Sequence, residues 1–344
     1  MRVPRSLAWL LLGITFLTAG LLRQFHSEIP RSPYVNPLFG SLLFAAVFFL
    51  LLVTAREWRL GSVSGPGIRL GSLTPLLLML LLEKWISLGL YNPLFYLVTP
   101  DGLGEAALDA RYRAFAGLGL LAACALLAGF SPPAWRRTWR RMRPARWPAG
   151  IVGLLAVVAG VYALLGGLSA ALGGGLRLRW PEAGSLLAWI VGGQALRAFA
   201  EEVYYRGLLL AETQRLAPRL GATGPAAARW AALLPTSLLF AMEHFALGPP
   251  WDEPLRRALF TLALGLLLGL LVLATENLVF AAGVHAWINV VVLGAVPLYV
   301  DAAGQPALPA GTYVGLSLAI AFVLAFLAGR RNLTRTVPRR PASV

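Results

Sequence analysis

The sequence predicts an all-α fold, a polytopic transmembrane helical bundle of about 10 (8–10) membrane-spanning helices. Three observations lead there. The 344 residues are 58% apolar and only 13% charged, whereas soluble domains carry about 25% charged residues. The mean hydropathy is +0.70. Mostly apolar stretches of roughly 18 or more residues recur along the chain, the length an α-helix needs to cross the hydrocarbon core.

Taken in order, the candidate spans cover about 6–23, 37–55, 72–98, 114–132, 149–172, 184–212, 228–247, 257–274, 277–299 and 311–329. Arg2 and Arg5 precede an apolar run to Leu22, as in a signal peptide. Arg23 follows without a small-x-small cleavage site, so an uncleaved first helix is expected. Glu83 and Lys84 in the third span read as a structural charge pair near the end of a bent helix. The single cysteine, Cys124, excludes an internal disulfide and falls in an apolar run, where packing is its expected role. Small residues within spans, Gly192-Gly193 and Gly265-x-x-x-Gly269, suit close helix packing.

The formal charge of +15 does not point to nucleic acid. The basic residues lie in short loops between apolar segments, where the positive-inside rule accounts for them. With the N-terminus in the cytoplasm, nineteen loop and tail arginines face the cytoplasm and eight face outward. This asymmetry predicts an even number of spans, with both termini cytoplasmic. Arginine supplies all but one of the 30 basic residues, the exception being Lys84; that bias points to a GC-rich bacterial genome and a plasma-membrane location. The expected organisation is an N-terminal accessory transmembrane region over 1–135 and an Arg-rich cytoplasmic loop over 136–147. A C-terminal transmembrane region over 148–329 and a basic cytoplasmic tail over 330–344 follow. The loop itself, rich in Arg and Trp, is expected to touch lipid headgroups.

Between residues 201 and 289 the spans carry groups that do not belong in lipid. A charged side chain at the bilayer centre costs at least about 2.5–3.5 kcal/mol on insertion scales, and such groups mark function by default. Glu202 and Arg206 are four apart and share a helix face, as do Arg197 and Glu201. Each pair forms a natural ion pair, which an intramembrane carboxylate requires if it is to stay charged. His244 lies late in the seventh span, next to Glu243 and one turn after Phe240. His285 and Asn289 sit one turn apart in the ninth; two neighbouring donors are what a developing oxyanion requires. At 1.5 Å per residue, bringing His244 and His285 to the depth of Glu201 leaves roughly 10 Å of mismatch for stagger or an irregular helix end to absorb.

The order Glu-Glu-x-x-x-Arg at 201–206, Phe-x-x-x-His at 240–244 and His-x-x-x-Asn at 285–289, on separate apolar spans, resembles the CPBP intramembrane protease family. That family includes type II CAAX prenyl endopeptidases, bacteriocin-processing and immunity proteins, and abortive-infection-like proteins. The resemblance covers about 184–300. It implies an intramembrane endopeptidase acting on a membrane-anchored or membrane-proximal protein or peptide. Glu201 would be the general base with His244, His285 and Asn289 the oxyanion hole, and Glu202 with Arg206 the structural brace. A metalloprotease label travels with the family, and Glu201, His244 and His285 are a donor set that binds zinc or works without it. No His-Glu-x-x-His is present, and the sequence requires no cofactor.

Two other classes compete. A proton-coupled transporter would spread its charges over corresponding halves of a repeat, whereas here they concentrate in one four-helix unit. A non-catalytic immunity or scaffold protein would have no need of an intact Glu201, His244, His285 and Asn289. Tyr205 stands where Phe is common in the family, and Arg197, one turn before Glu201, has no family role. If Arg197 faces Glu201, Arg197→Leu should change activity or its pH profile, measured on purified protein; an unchanged profile would show that Arg197 faces elsewhere.

Overall fold

The computed structural model describes residues 2–3, 8, 12–13, 15, 68–84, 105–171, 177–181, 185–244, 252–301 and 305–333. A short strand pair, β1 (Arg2–Val3) and β2 (Ile68–Arg69), leads into α1 (Leu70–Lys84). Then come α2 (Glu105–Phe130), α3 (Pro132–Met142), a 3₁₀ turn (Pro144–Arg146), α4 (Trp147–Ala171) and β3 (Arg177–Arg179). The next helical segment has three parts: α5 (Ser185–Glu202), a π-helical stretch (Val203–Leu209) and α6 (Leu210–Leu216). The chain continues through α7 (Gly224–His244), α8 (Asp252–Thr275), α9 (Leu278–Val292), β4 (Leu298–Val300) and α10 (Ala310–Leu333). Among the described residues four helical stretches are long and apolar enough to cross a membrane: 111–130, 144–171, 254–275 and 310–328. The spans expected at 37–55 and over most of 6–23 lie outside the described residues, as does the part of 72–98 beyond Lys84.

The outward surface is apolar where lipid would lie. Ile151, Val152 and Leu155 of α4, Leu255 and Leu259 of α8, and Phe322 and Phe326 of α10 are exposed. The interior holds Tyr204, Phe240 and Tyr313 together with a set of buried charges. This is the pattern expected where the solvent is hydrocarbon and polar groups must be satisfied inside the protein. Two small antiparallel ladders depart from an all-α expectation. One pairs β1 with β2, and the other pairs β3 with β4, joining the segments after α4 and α9.

The ninth span is shorter than the apolar run suggested. α9 stops at Val292, with Gly294 in the left-handed region at φ +66°. The Gly294 N–H bonds to the Val291 carbonyl and the Ala295 N–H to that of Val290, a glycine-terminated helix end. The apolar residues beyond it, Leu298 to Val300, form a strand rather than more helix. At its other end, Asn277 caps α9 by accepting a 3.1 Å hydrogen bond from the Phe280 N–H.

The Arg-rich segment read as a loop is mostly the helix α3. Pro132 and Pro133 open it, where their missing N–H groups cost nothing. Ala134, Thr138, Arg141 and Met142 form its buried face, and this face packs on the π stretch and α6. The helix therefore docks onto the C-terminal half. α2 likewise packs along α5, and Cys124 is buried within the core cluster. Of the paired small residues, Gly265 and Gly269 do sit against α7; a Cβ at Gly269 would lie 2.2 Å from Leu233 Cδ1. Gly192 faces open space.

Two contacts fasten α3. A Cβ added at Gly207, in the π stretch, would lie 2.5 Å from Thr138 Cγ2, so only glycine permits this approach. Arg141, fully buried, donates from Nε and Nη2 to the two oxygens of Glu276 at 2.9 and 3.0 Å, and from Nη1 to the Arg206 carbonyl at 3.3 Å. Glu276 sits in the turn between α8 and α9 at φ 52°, so one guanidinium ties α3 to that turn and to the π stretch. Burial raises the proton affinity of Glu276, but the Arg141 hydrogen bonds and the Arg141, Arg137 and Arg146 cations outweigh it and hold its pKa below the ordinary carboxylate value of 4.5.

Gly207→Ala should destabilise the purified protein by about 1–3 kcal/mol through overpacking, read as a lowered unfolding temperature in detergent. Adding Thr138→Ser, which removes the obstructing methyl, should recover most of the loss; no recovery would mean that the contact is elsewhere. A depressed carboxylate contributes stability above its unfolded pKa and loses it as pH falls through the folded one. The stability difference between wild type and Glu276→Gln should therefore be full at neutral pH and shrink as pH drops below about 4.5. A pH-independent difference would contradict the Arg141–Glu276 pairing.

Candidate active site

The buried charges of α5 are arranged as helical spacing requires. Arg197 Nε donates to Glu201 Oε1 at 2.7 Å, and Arg206 Nη1 donates to Glu202 Oε1 at 2.9 Å. Arg206 also donates from Nη2 to the Gly265 carbonyl of α8 at 3.2 Å. Its guanidinium lies over the Phe240 ring, 4.3 Å from the centroid, a cation–π contact in a desolvated setting. Glu202 and Arg206 are 0% and 3% exposed, Glu201 only slightly more. The π stretch begins directly after Glu202. Such widened turns are frequent at functional sites, and this one brings the Arg206 carbonyl to Arg141 and Gly207 to Thr138.

His285 joins α9 to this cluster. Its Nδ1 lies 3.0 Å from Glu202 Oε1, which it serves as donor, and its Nε2 lies 3.7 Å from Glu201 Oε2. One imidazole thus faces both carboxylates. Glu202 Oε1 takes hydrogen bonds from both Arg206 and His285, while Glu202 Oε2, also buried, accepts none among the described residues. The His285 ring packs edge-on against Phe240 at 5.6 Å between centroids.

His244 is the last residue of α7. Its Nδ1 lies 2.8 Å from the Phe240 carbonyl. A carbonyl only accepts, so Nδ1 carries the proton and Nε2 is left with a lone pair. The His244 ring lies against Phe240, tilted by 47° at 4.4 Å between centroids, so Phe240 touches both histidines. Glu201 thus has Arg197 on Oε1 at 2.7 Å and His285 Nε2 3.7 Å from Oε2. The mismatch in depth is absorbed for His285, and Phe240 links His244 to His285 by ring contacts.

Asn289, one turn beyond His285, is half-buried and lies in a second polar group. The buried Gln194 of α5 sits with its side-chain amide 3.3 Å from that of Asn289, and its oxygen accepts from Arg113 Nε and Nη1 of α2 at 3.0 and 3.1 Å. The predicted residues Arg197, Glu201, Glu202, Arg206, His244 and His285 therefore share one cluster, with Asn289 at its edge beside Gln194.

Sequence reasoning missed several participants. Gln194 and Arg113 are among them, and nothing in the local pattern joins positions 113, 194 and 289. Phe240 was seen only as part of a spacing motif, although it touches Arg206, His244 and His285. Tyr204 donates to the Met79 carbonyl of α1 at 2.9 Å, so α1 helps to seat the π stretch. Among the described residues no group of three or more His, Cys, Asp and Glu is disposed to hold a metal ion. The inner nitrogens of both histidines are engaged by Glu202 and the Phe240 carbonyl. Both rings are thereby fixed with Nε2 left over, and a metalloprotease reading is not supported.

No curated protein and no solved structure matches the chain. Residues 183–291, which contain every member of the buried cluster, match the family model described as type II CAAX prenyl endopeptidase Rce1-like, the family group that the order of the three motifs resembles.

Proposed function

We propose that the chain is an intramembrane endopeptidase that hydrolyses a peptide bond of a membrane-anchored or membrane-proximal substrate. The observation that supports this most is the approach of His285 Nε2 to Glu201 Oε2 at 3.7 Å, with His244 and His285 both against the Phe240 ring, inside a segment matching a protease family. Peptide hydrolysis needs a base, an activated water and donors placed where negative charge develops.

In this reading Glu201 takes a proton from water, with His244 Nε2, the nitrogen free of the backbone, as its partner. The hydroxide adds to the substrate carbonyl, and the oxygen that becomes negative is held by Asn289 and by His285, which needs both ring nitrogens protonated to donate from Nε2 while Nδ1 stays on Glu202. The proton returns to the departing amine as the carbon–nitrogen bond breaks. Arg197 fixes Glu201 by its Oε1, which leaves Oε2 on the side of His285. Glu202 and Arg206 do not touch substrate; they hold the His285 ring and the helix that carries Glu201. Gln194 would orient the Asn289 amide in the same way.

The finer organisation belongs to the same proposal: about ten spans in a bacterial plasma membrane, both termini cytoplasmic. The first half of the chain would be an accessory region that seats the site through Tyr204 and Met79.

The test compares the membrane proteome of cells carrying wild type with that of cells carrying Glu201→Gln, by mass spectrometry, with and without chelator. Wild type should generate cleavage products that Glu201→Gln does not, with no effect of chelator. No differential cleavage would sink the protease reading, and chelator sensitivity would bring a metal back. With a substrate in hand, Asn289→Ala should lower turnover by about 10²–10³, the usual loss for one oxyanion donor, without changing the unfolding temperature.

A further inference from the structure

Beyond the buried cluster, the outer face of α3 carries an unexplained basic cavity. It has a volume of about 610 Å³ and is lined by Trp135, Arg136, Arg137, Trp139 and Arg140 of α3 and by Arg215 of α6, with no acidic residue in its wall. The positive-inside rule accounts for the number of these arginines but not for their assembly around one hollow.

The charges there are unevenly matched. Arg215 is paired with Glu212, and Arg137 donates to the neutral Gln214 at 2.9 Å. Arg136 and Arg140 are exposed and make no ion pair or hydrogen bond among the described residues. Burial and the neighbouring Arg141 and Arg140 cations lower the proton affinity of the Arg137 guanidinium, against the opposing pull of Glu276. The cavity thus concentrates positive charge that the protein itself does not neutralise.

Its setting decides what would do so. α3 joins the ends of α2 and α4, both candidate spans, and so lies where the membrane meets water. Trp139 is 52% exposed and its ring lies 6.2 Å from that of Trp135. Tryptophan favours the headgroup level, and guanidinium forks match phosphate oxygens. We propose that the α3–α6 cavity binds the phosphate headgroup of an anionic phospholipid from the adjoining leaflet. The acyl chains would run along the exposed apolar surface of the bundle while Arg136, Arg137 and Arg140 hold the phosphate. The buried face of the same helix holds the π stretch, so the lipid would bear on the element that positions Arg206.

The test uses the full chain in neutral detergent, with retained lipid counted by native mass spectrometry in mixtures of phosphatidylglycerol and phosphatidylcholine. Wild type should retain phosphatidylglycerol selectively. Arg136→Gln with Arg140→Gln should lower that retention about tenfold or more, since each basic residue near an anionic surface contributes roughly a fivefold factor. Both side chains are exposed, so the unfolding temperature should not move. Arg143→Gln, an exposed arginine outside the cavity, should leave retention unchanged. Equal retention by wild type and the double variant would overturn the proposal, as would an equal loss in Arg143→Gln, which would mean diffuse charge. Displacement of the lipid by millimolar inorganic phosphate would show a free-anion site instead, and equally tight, Arg136- and Arg140-dependent binding of single-stranded RNA would show a nucleic-acid site.

Discussion

One carboxylate oxygen organises the centre of this protein. Glu202 Oε1 receives Arg206 from its own helix and His285 from α9, and all three side chains are buried. A buried charge is tolerable only when paired and hydrogen-bonded, and removing one partner of such a pair costs about 3–5 kcal/mol. The constraint is mutual. Glu202 needs Arg206, Arg206 needs the Gly265 carbonyl and the Phe240 face, and His285 needs Glu202 to fix its ring. α5, α7, α8 and α9 are thereby tied by polar contacts in a medium that gives apolar helices no strong reason to associate.

The elements around this centre make sense as supports. The π stretch turns the Arg206 carbonyl outward, where Arg141 takes it, and sets Gly207 against Thr138. α3, held from the other side by Glu276, thus works as a clamp at one end of the bundle. Glu212, buried beneath it, accepts from Ser131 at 2.6 Å and pairs with Arg215, which reaches the Ser72 carbonyl of α1. Charges that sequence alone would assign to a solvated loop are in fact bound into the interior. Glu201, one residue before the brace, is left between Arg197 and His285.

Much of this was legible because helical spacing acts at short range. The Arg197–Glu201 and Glu202–Arg206 pairs, four residues apart, appear in the structure as the sequence predicts. The sequence requires stagger or an irregular helix end to bring the histidines to Glu201, and His285 Nε2 does lie 3.7 Å from Glu201 Oε2. What remained hidden acts across large separations. The partner of His285 is 83 residues away, and that of Arg141 is 135. Composition made the Arg141 segment look like an ordinary basic loop, since burial of a single guanidinium leaves no periodic trace. The early end of α9 was hidden for a related reason: apolar residues continue past Gly294, but as a strand.

The central claim is a division of labour between adjacent carboxylates, with Glu202 holding the structure and Glu201 free for chemistry. It is tested most directly by the unfolding temperature of purified Glu201→Gln and Glu202→Gln, measured side by side with cleavage of the same substrate. The expected result is a split: Glu202→Gln unfolds well below wild type, while Glu201→Gln unfolds with wild type yet cleaves nothing. Equal destabilisation by the two changes, or full cleavage by Glu201→Gln, would contradict it.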